Sequence, residues 1–173
     1  MIIQTQNLYL REAHSKDAAF ILQLVNTPTW LQHIGDRNVH SIEEAQEFIQ
    51  SRLVHSYKTH GYGLYVVLLK DHQIPIGLFG FVKRDYLDHP DIGFALLPNY
   101  TGQGYGKEAA NASMEYGVNQ LGFPVVLGIT SQENIVSQRL LARLGLQNVG
   151  LITPPEESKP LVLFKLDVSK NND

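Results

Sequence analysis

The order of apolar patterns along the chain predicts an α/β (α+β) fold, a mixed central sheet of about six to seven strands flanked by helices. Three observations carry that expectation. Short β-rich runs alternate with helical stripes instead of segregating at one end of the chain. Two of those runs, 63–69 and 75–83, are separated by Lys70-Asp71-His72-Gln73, a hairpin connection, so part of the sheet is antiparallel. A later run, 91–97, leads through a glycine turn into an Ala-rich helix before the next strand, which is the crossover that a parallel pairing requires.

Each element has its own signal. Asn7 to Arg11 alternates around Leu8 and Leu10 and reads as the first strand. Ser15-Lys16-Asp17 opens a helix whose apolar side holds Ala19, Ile21, Leu22 and Val25. Ser41 with Glu44 forms a capping box, and Ala45, Phe48, Ile49 and Leu53 follow on one stripe. After the hairpin, Asp91 to Leu97 is apolar enough to be buried on both faces. Tyr105, Ala109, Ala112 and Tyr116 share a face of the next helix, and Val125 to Ile129 is a short buried strand. Asn134 to Leu144 is a helix with Val136, Leu140, Leu141 and Leu144 inward, ended by Gly145. Leu161 to Leu166 is the last strand, and 169–173 reads as a frayed tail. No repeat or linker divides the sequence, so one domain is expected over 1–173, with its core at about 8–166.

Composition narrows the function. The chain has 173 residues, enough for one sizeable core, and 43% of them are hydrophobic, the globular norm. Seventeen acids against 14 Lys plus Arg leave no basic field for DNA or for an anionic membrane surface. No apolar run reaches the roughly 18 residues of a membrane span, and no signal peptide is read at Met1-Ile2-Ile3-Gln4, so a cytoplasmic protein is expected. Cysteine is absent, which excludes disulfides, thiolate zinc sites and cysteine nucleophiles. The seven histidines form no H-x-x-x-H or H-E-x-x-H pattern, so no metal is expected.

The stretch richest in chemistry is Leu97-Pro98-Asn99-Tyr100-Thr101-Gly102-Gln103-Gly104-Tyr105-Gly106-Lys107-Glu108. Its glycines can expose several backbone N–H groups at the start of a helix, a cradle for phosphate oxygens. Spacing tests the familiar phosphate motifs. A P-loop would need Gly at Thr101 and Ser or Thr at Glu108, and a dinucleotide fingerprint would need Gly at Lys107. Both fail. A glycine-rich surface turn without a ligand remains the bland alternative.

Taken with their neighbours, these residues resemble the GNAT acetyltransferase superfamily. Thr101-Gly102-Gln103-Gly104-Tyr105-Gly106 matches that family's [Q/R]-x-x-G-x-[G/A] signature. Asn7-Leu8-Tyr9-Leu10-Arg11, Gly35-Asp36-Arg37, Asp91-Ile92-Gly93-Phe94 and Asn134-Ile135-Val136-Ser137, with Leu144-Gly145-Leu146, look like the branch that acetylates ribosomal-protein N-termini. The resemblance runs from about Leu8 to Leu166 and implies the GNAT fold, with acetyl-CoA as co-substrate and no metal.

It also implies where the cofactor and the chemistry lie. The amides of Gly102, Gln103, Gly104, Tyr105 and Gly106, with Lys107, would bind the pyrophosphate. The strand backbone at Phe94, Leu96 and Leu97 would pair with the pantetheine arm and supply an oxyanion donor. Thr101 stands where the family has Arg or Gln and counts with Ser137 among the implied cofactor-binding residues, while main-chain amides should carry most of the binding. Many family members protonate the thiolate with a Tyr at the position of Leu141; here Ser137 is the implied donor, and Asn134 would bond the pantetheine or cap its helix. Asp91 is the implied base for the amine. Trp30, His33, Arg37, Tyr62, Tyr65 and Phe81 lie where the family builds its acceptor groove. The expected reaction is direct acetyl transfer to a primary amine, a protein N-terminus or a small molecule, by a monomer or homodimer. The alternatives are a non-catalytic CoA-binding sensor and an acyltransferase using another acyl-CoA.

Overall fold

The computed structural model describes residues 1–170. Eight strands form one sheet, in the spatial order β1 (Ile3–Gln4), β2 (Leu8–Arg11), β3 (Leu64–Leu69), β4 (Pro75–Val82), β5 (Asp91–Leu96), β6 (Val125–Ser131), β8 (Leu161–Asp167) and β7 (Gln147–Ile152). Neighbours are antiparallel except β5 and β6, which run parallel. The sheet is mixed, as expected, and wider than the six to seven strands anticipated. The additional β1 has two residues, and β7 is exposed along most of its length, so neither carries an inward–outward alternation.

Alternation sorts the side chains onto two faces. One face presents Val66, Leu68, Leu78 and Leu97, and it is covered by α1 (Ala18–Val25), α2 (Pro28–His33), α3 (Ile42–Phe48) and α4 (His55–His60). A π-helical turn, Ile49–Val54, joins α3 to α4. The other face presents Tyr65, Val67, Ile76 and Phe79 to α5 (Tyr105–Asn119), and Phe81, Ile92 and Val126 to α5 and α6 (Ile135–Arg143). Each large apolar side chain buried in this way contributes about 1.5–3 kcal/mol.

Local chemistry fixes the helix ends. Ser41 Oγ accepts the Glu44 N–H at 3.1 Å, while the Glu44 carboxylate reaches one residue further back, to the His40 N–H at 2.6 Å. The first expected helix begins as a 3-10 turn, Ser15–Asp17, and Ala19 is exposed rather than inward. In α6, Leu141 rests on Gly128, where a Cβ would come within 2.7 Å of the leucine. That contact sets the inward face at positions 137, 141 and 144, so Val136 points outward and is 79% exposed, contrary to expectation. Of the expected frayed tail, Ser169 and Lys170 belong to a 3-10 turn, Val168–Lys170, and 171–173 lie outside the described residues.

Candidate active site

The sheet is split where its strands change direction. β5 and β6 register at one pair, Asp91 with Leu127, where the Leu127 N–H donates to the Pro90 carbonyl at 2.9 Å. Toward their C-terminal ends the strands share no further pair. β5 is therefore not buried on both faces as its composition predicts; its residues from Gly93 to Leu96 are half-buried, because the ladder ends beside them.

Register decides which amides this split exposes. The Leu97 N–H donates to the Ile76 carbonyl at 2.8 Å, toward β4. Ladder alternation then turns the N–H and C=O of Phe94 and Leu96 the other way, into the split. Phe94 and Leu96 thus present free strand edge, whereas the Leu97 amide expected to join them is committed to the sheet.

The glycine turn follows directly. Gly102 and Gly104 have φ of +73° and +89°, in the left-handed region that favours glycine, and nothing lies within 4 Å of where a Cβ would stand. Gly104 caps α5 without a side-chain acceptor, and the first helical bond is from the Glu108 N–H to the Gly104 carbonyl at 3.0 Å. The early amides of α5 thus face open space at the positive end of a 15-residue helix. The neighbouring side chains are occupied. Thr101 Oγ1 donates to the Pro98 carbonyl at 2.8 Å, and Gln103 Nε2 donates to the Asn99 carbonyl at 2.7 Å. Both stiffen the turn, so phosphate oxygens would meet main-chain donors, with the exposed Lys107 nearby. Glu108 faces away from them and accepts from the Asn7 N–H at 2.7 Å, from Asn7 Nδ2 at 2.9 Å and from the Thr5 hydroxyl.

On the far bank of the split, Asn134 Oδ1 accepts the Ser137 N–H at 3.1 Å, which makes Asn134 the N-cap of α6. Ser137 is half-buried and shares the inward helix face with Leu141, toward β6.

The opposite face of the sheet holds the acid. Ala95 and Leu97 pack under α1 to α4, so Asp91, two and three repeats away on the same strand, points to that face. Its side chain is 2% exposed, and Oδ1 accepts a 2.8 Å bond from Arg84 Nε. Burial pushes the Asp91 carboxyl above the ordinary carboxylate range, against the opposing pull of Arg84. His33, at the end of α2, meets Ser131 at the end of β6, with Nδ1 2.9 Å from Oγ. This contact ties the two halves of the sheet together across the mouth of the split.

The six expected groove residues divide. Trp30, Tyr65 and Phe81 are buried in the core, with Tyr65 stacked on Tyr57. Tyr62 packs edge-on against Phe123. His33 does lie on the Asp91 face, against Ser131, whereas Arg37 is exposed in the turn between α2 and α3; Arg84 and Ser131 stand on that face without a sequence signal. Arg84 has no periodic signal, and the one pointer to it is its place across a loop from Asp91.

Among the described residues no group of three or more His, Asp or Glu is placed to hold a metal ion, and no helix is long and apolar enough to cross a membrane. The family profile described as acetyltransferase (GNAT) domain matches residues 7–147. An uncharacterized N-acetyltransferase of Bacillus subtilis, YnaD, is 28% identical over 150 residues, 87% of this chain and 85% of its own. A GNAT-family acetyltransferase from Bacillus anthracis superimposes with a TM-score of 0.80 at 21% identity, covering 98% of this chain and 99% of that one. RimL, a ribosomal L7/L12 α-N-protein acetyltransferase solved with coenzyme A, does so with a TM-score of 0.73 at 17% identity, covering 96% and 97%.

Proposed function

The chain belongs to the GNAT acetyltransferase family, and from that premise we propose that it transfers an acetyl group from acetyl-CoA directly to a primary amine, that of a protein N-terminus or of a small molecule. The observation that carries this reading is the juxtaposition of two open main-chain surfaces: the β5 edge at Phe94 and Leu96, and the glycine turn that begins α5.

An extended arm laid into the split would add a strand to that edge. Its diphosphate would then meet the amides of Gly102 to Gly106, where the missing Cβ atoms leave room. Bound there, acetyl-CoA supplies an acetyl group already activated as a thioester. The Phe94 and Leu96 N–H groups are the donors available to an oxygen that gains negative charge. Ser137, half-buried on the α6 face that carries Leu141 toward β6, donates a proton to the departing sulfur in this reading. Asp91 takes the proton of the attacking amine, directly or through water. A carboxylate held above its ordinary range by burial suits that task, because it binds a proton more readily.

The test is release of free thiol from acetyl-CoA across a panel of amines, with the acetylated product identified by mass. Turnover is expected with at least one amine, and Ser137→Ala lowers kcat about tenfold or more while acetyl-CoA binding stays close to wild type. Unchanged turnover in Ser137→Ala removes the serine from the mechanism. Tight CoA binding without acetylation of any amine would replace the enzyme reading with a CoA-binding sensor.

A further inference from the structure

We infer that His33 is a positioning residue for acetyl transfer: through Ser131 it holds the start of α6 in place, and so sets where Ser137 meets the departing sulfur. This rests on the acetyl-transfer reading above, from which Ser137 takes its role.

The sheet creates the need for such a hold. β5 and β6 pair at Asp91 and Leu127 and no further along, so the last residues of β6 are paired on the β8 side alone. Fewer backbone bonds leave a strand end freer to open locally.

α2 supplies a contact on the open side, and its own ends are fixed. Pro28 takes the first helical position, the Thr27 hydroxyl accepts the Trp30 N–H at 3.4 Å, and the Trp30 side chain is buried in the core. The Trp30 carbonyl closes the other end, accepting from the Ile34 and Gly35 N–H groups at 2.8 and 3.0 Å. His33 therefore leaves a firm base. It is half-buried, and its Nδ1 lies 2.9 Å from Ser131 Oγ.

Ser131 passes the hold on. Alternation puts its hydroxyl on the Asp91 face with Leu127 and Ile129, whereas α6 packs against Gly128 on the opposite face. Its main chain serves both. The Ser131 carbonyl accepts the Asn134 N–H at 3.1 Å and Gln138 Nε2 at 3.2 Å. Asn134 then accepts the Gln138 N–H at its carbonyl and the Ser137 N–H at Oδ1, each at 3.1 Å. A continuous series of contacts thus runs from the His33 ring to the Ser137 backbone. A serine hydroxyl donates to a bare Nδ1 and accepts from a protonated one, so the bond forms with either ring tautomer. His33 is needed for the place of Nδ1, not for a proton.

Hydrogen–deuterium exchange of the 132–138 amides, read by mass spectrometry on CoA-bound protein, tests the hold without turnover. His33→Phe keeps a ring but no hydrogen bond, and should speed that exchange about three- to tenfold, as loss of one neutral hydrogen bond implies. Ser131→Ala cuts the same bond from the other side and should match it. His33→Asn, whose amide reaches the Nδ1 position but transfers no proton, should restore wild-type exchange. In thiol-release assays, His33→Phe should lower kcat about three- to tenfold with the acceptor KM within about twofold, and His33→Asn should recover it. In a Ser137→Ala background, His33→Phe should lower kcat no further. Unchanged exchange in both His33→Phe and Ser131→Ala overturns the inference. So does a kcat loss that adds in full to that of Ser137→Ala, or one that His33→Asn fails to recover. If Ser137→Ala leaves turnover unchanged, the sulfur-side role of His33 falls with that of the serine. If no amine turns over while CoA binds, the acetyl-transfer reading falls instead, and exchange still decides whether His33 holds α6.

Discussion

Two Arg–Asp pairs, Arg11–Asp17 and Arg84–Asp91, have the same closest distance of 2.8 Å and opposite electrostatic outcomes. Burial pushes both carboxyls upward. At Asp17 it is outweighed: Arg11 Nη1 and Nη2 each donate at 2.8 Å, the His14 N–H donates at 2.9 Å, and the carboxyl ends below its ordinary range. Asp91 is more deeply buried and receives one guanidinium bond, from Nε, beside its own backbone N–H, so burial wins and the carboxyl ends above that range. The number of donors that replace water, rather than the presence of an arginine, separates the two. Asp17 is a clamp, joining the end of β2 to the turn that starts α1. Asp91 is an under-solvated carboxylate, the condition in which an acid readily takes a proton.

The largest effect that this contrast predicts is on catalysis. Asp91→Asn keeps the volume and an oxygen for Arg84, yet cannot accept the amine's proton. We expect kcat/KM to fall by about 100-fold or more, with the melting temperature within about 3 °C of wild type. A rate within a few-fold of wild type, measured on folded protein, would reduce Asp91 to a positioning residue for Arg84 and erase the functional half of the contrast.

Asp17→Asn should do the reverse. It weakens charge-assisted bonds to Arg11 and leaves that guanidinium without its counter-charge, at a cost of about 2–3 kcal/mol in stability by urea unfolding. Turnover at 25 °C should hold, because Asp17 lies at the α1 end of the molecule, away from the split. A stability loss below about 0.5 kcal/mol would mean that water replaces the clamp.

How far the sequence could be read follows from the same distinction between local and nonlocal causes. Ser41 with Glu44, the Gly104 turn and the Asn134 cap act within a few residues, so their signatures stand in order along the chain. The β3–β4 hairpin and the helical stripes were legible for that reason. The strand β7 was not, because its exposed residues have no buried side to alternate with. At the candidate site, the glycines could be singled out by spacing, and Ser137 by the resemblance of Asn134-Ile135-Val136-Ser137 to the family. That the Leu97 amide faces β4 while Phe94 and Leu96 face the split is a matter of register, which the sequence does not display. The partners of Asp91 and His33 are set by loops and by a strand 98 residues away, so Arg84 and Ser131 carried no signal.

The smallest effect is also the one that most directly sets the two pairs against each other, because it concerns the pH dependence of stability. Asp17 is lower in the folded state than in the unfolded chain. Its stabilisation is therefore complete above the unfolded value near 4 and is lost as pH falls through the folded value. Asp91 is higher in the folded state. Its contribution is complete below the unfolded value and is lost as pH rises through the folded value, above which an ionised, poorly solvated carboxylate weighs against folding. Unfolding free energies of wild type, Asp17→Asn and Asp91→Asn, measured in urea from about pH 3 to pH 8, isolate the two contributions, since each asparagine removes one titration. The wild-type advantage over Asp17→Asn should shrink toward acid, and the advantage over Asp91→Asn should shrink toward neutral pH, giving slopes of opposite sign. Slopes of the same sign would show that Arg84 Nε and the backbone N–H solvate Asp91 as well as the donors around Asp17 solvate that carboxylate, and the basis for treating Asp91 as the proton acceptor would be gone.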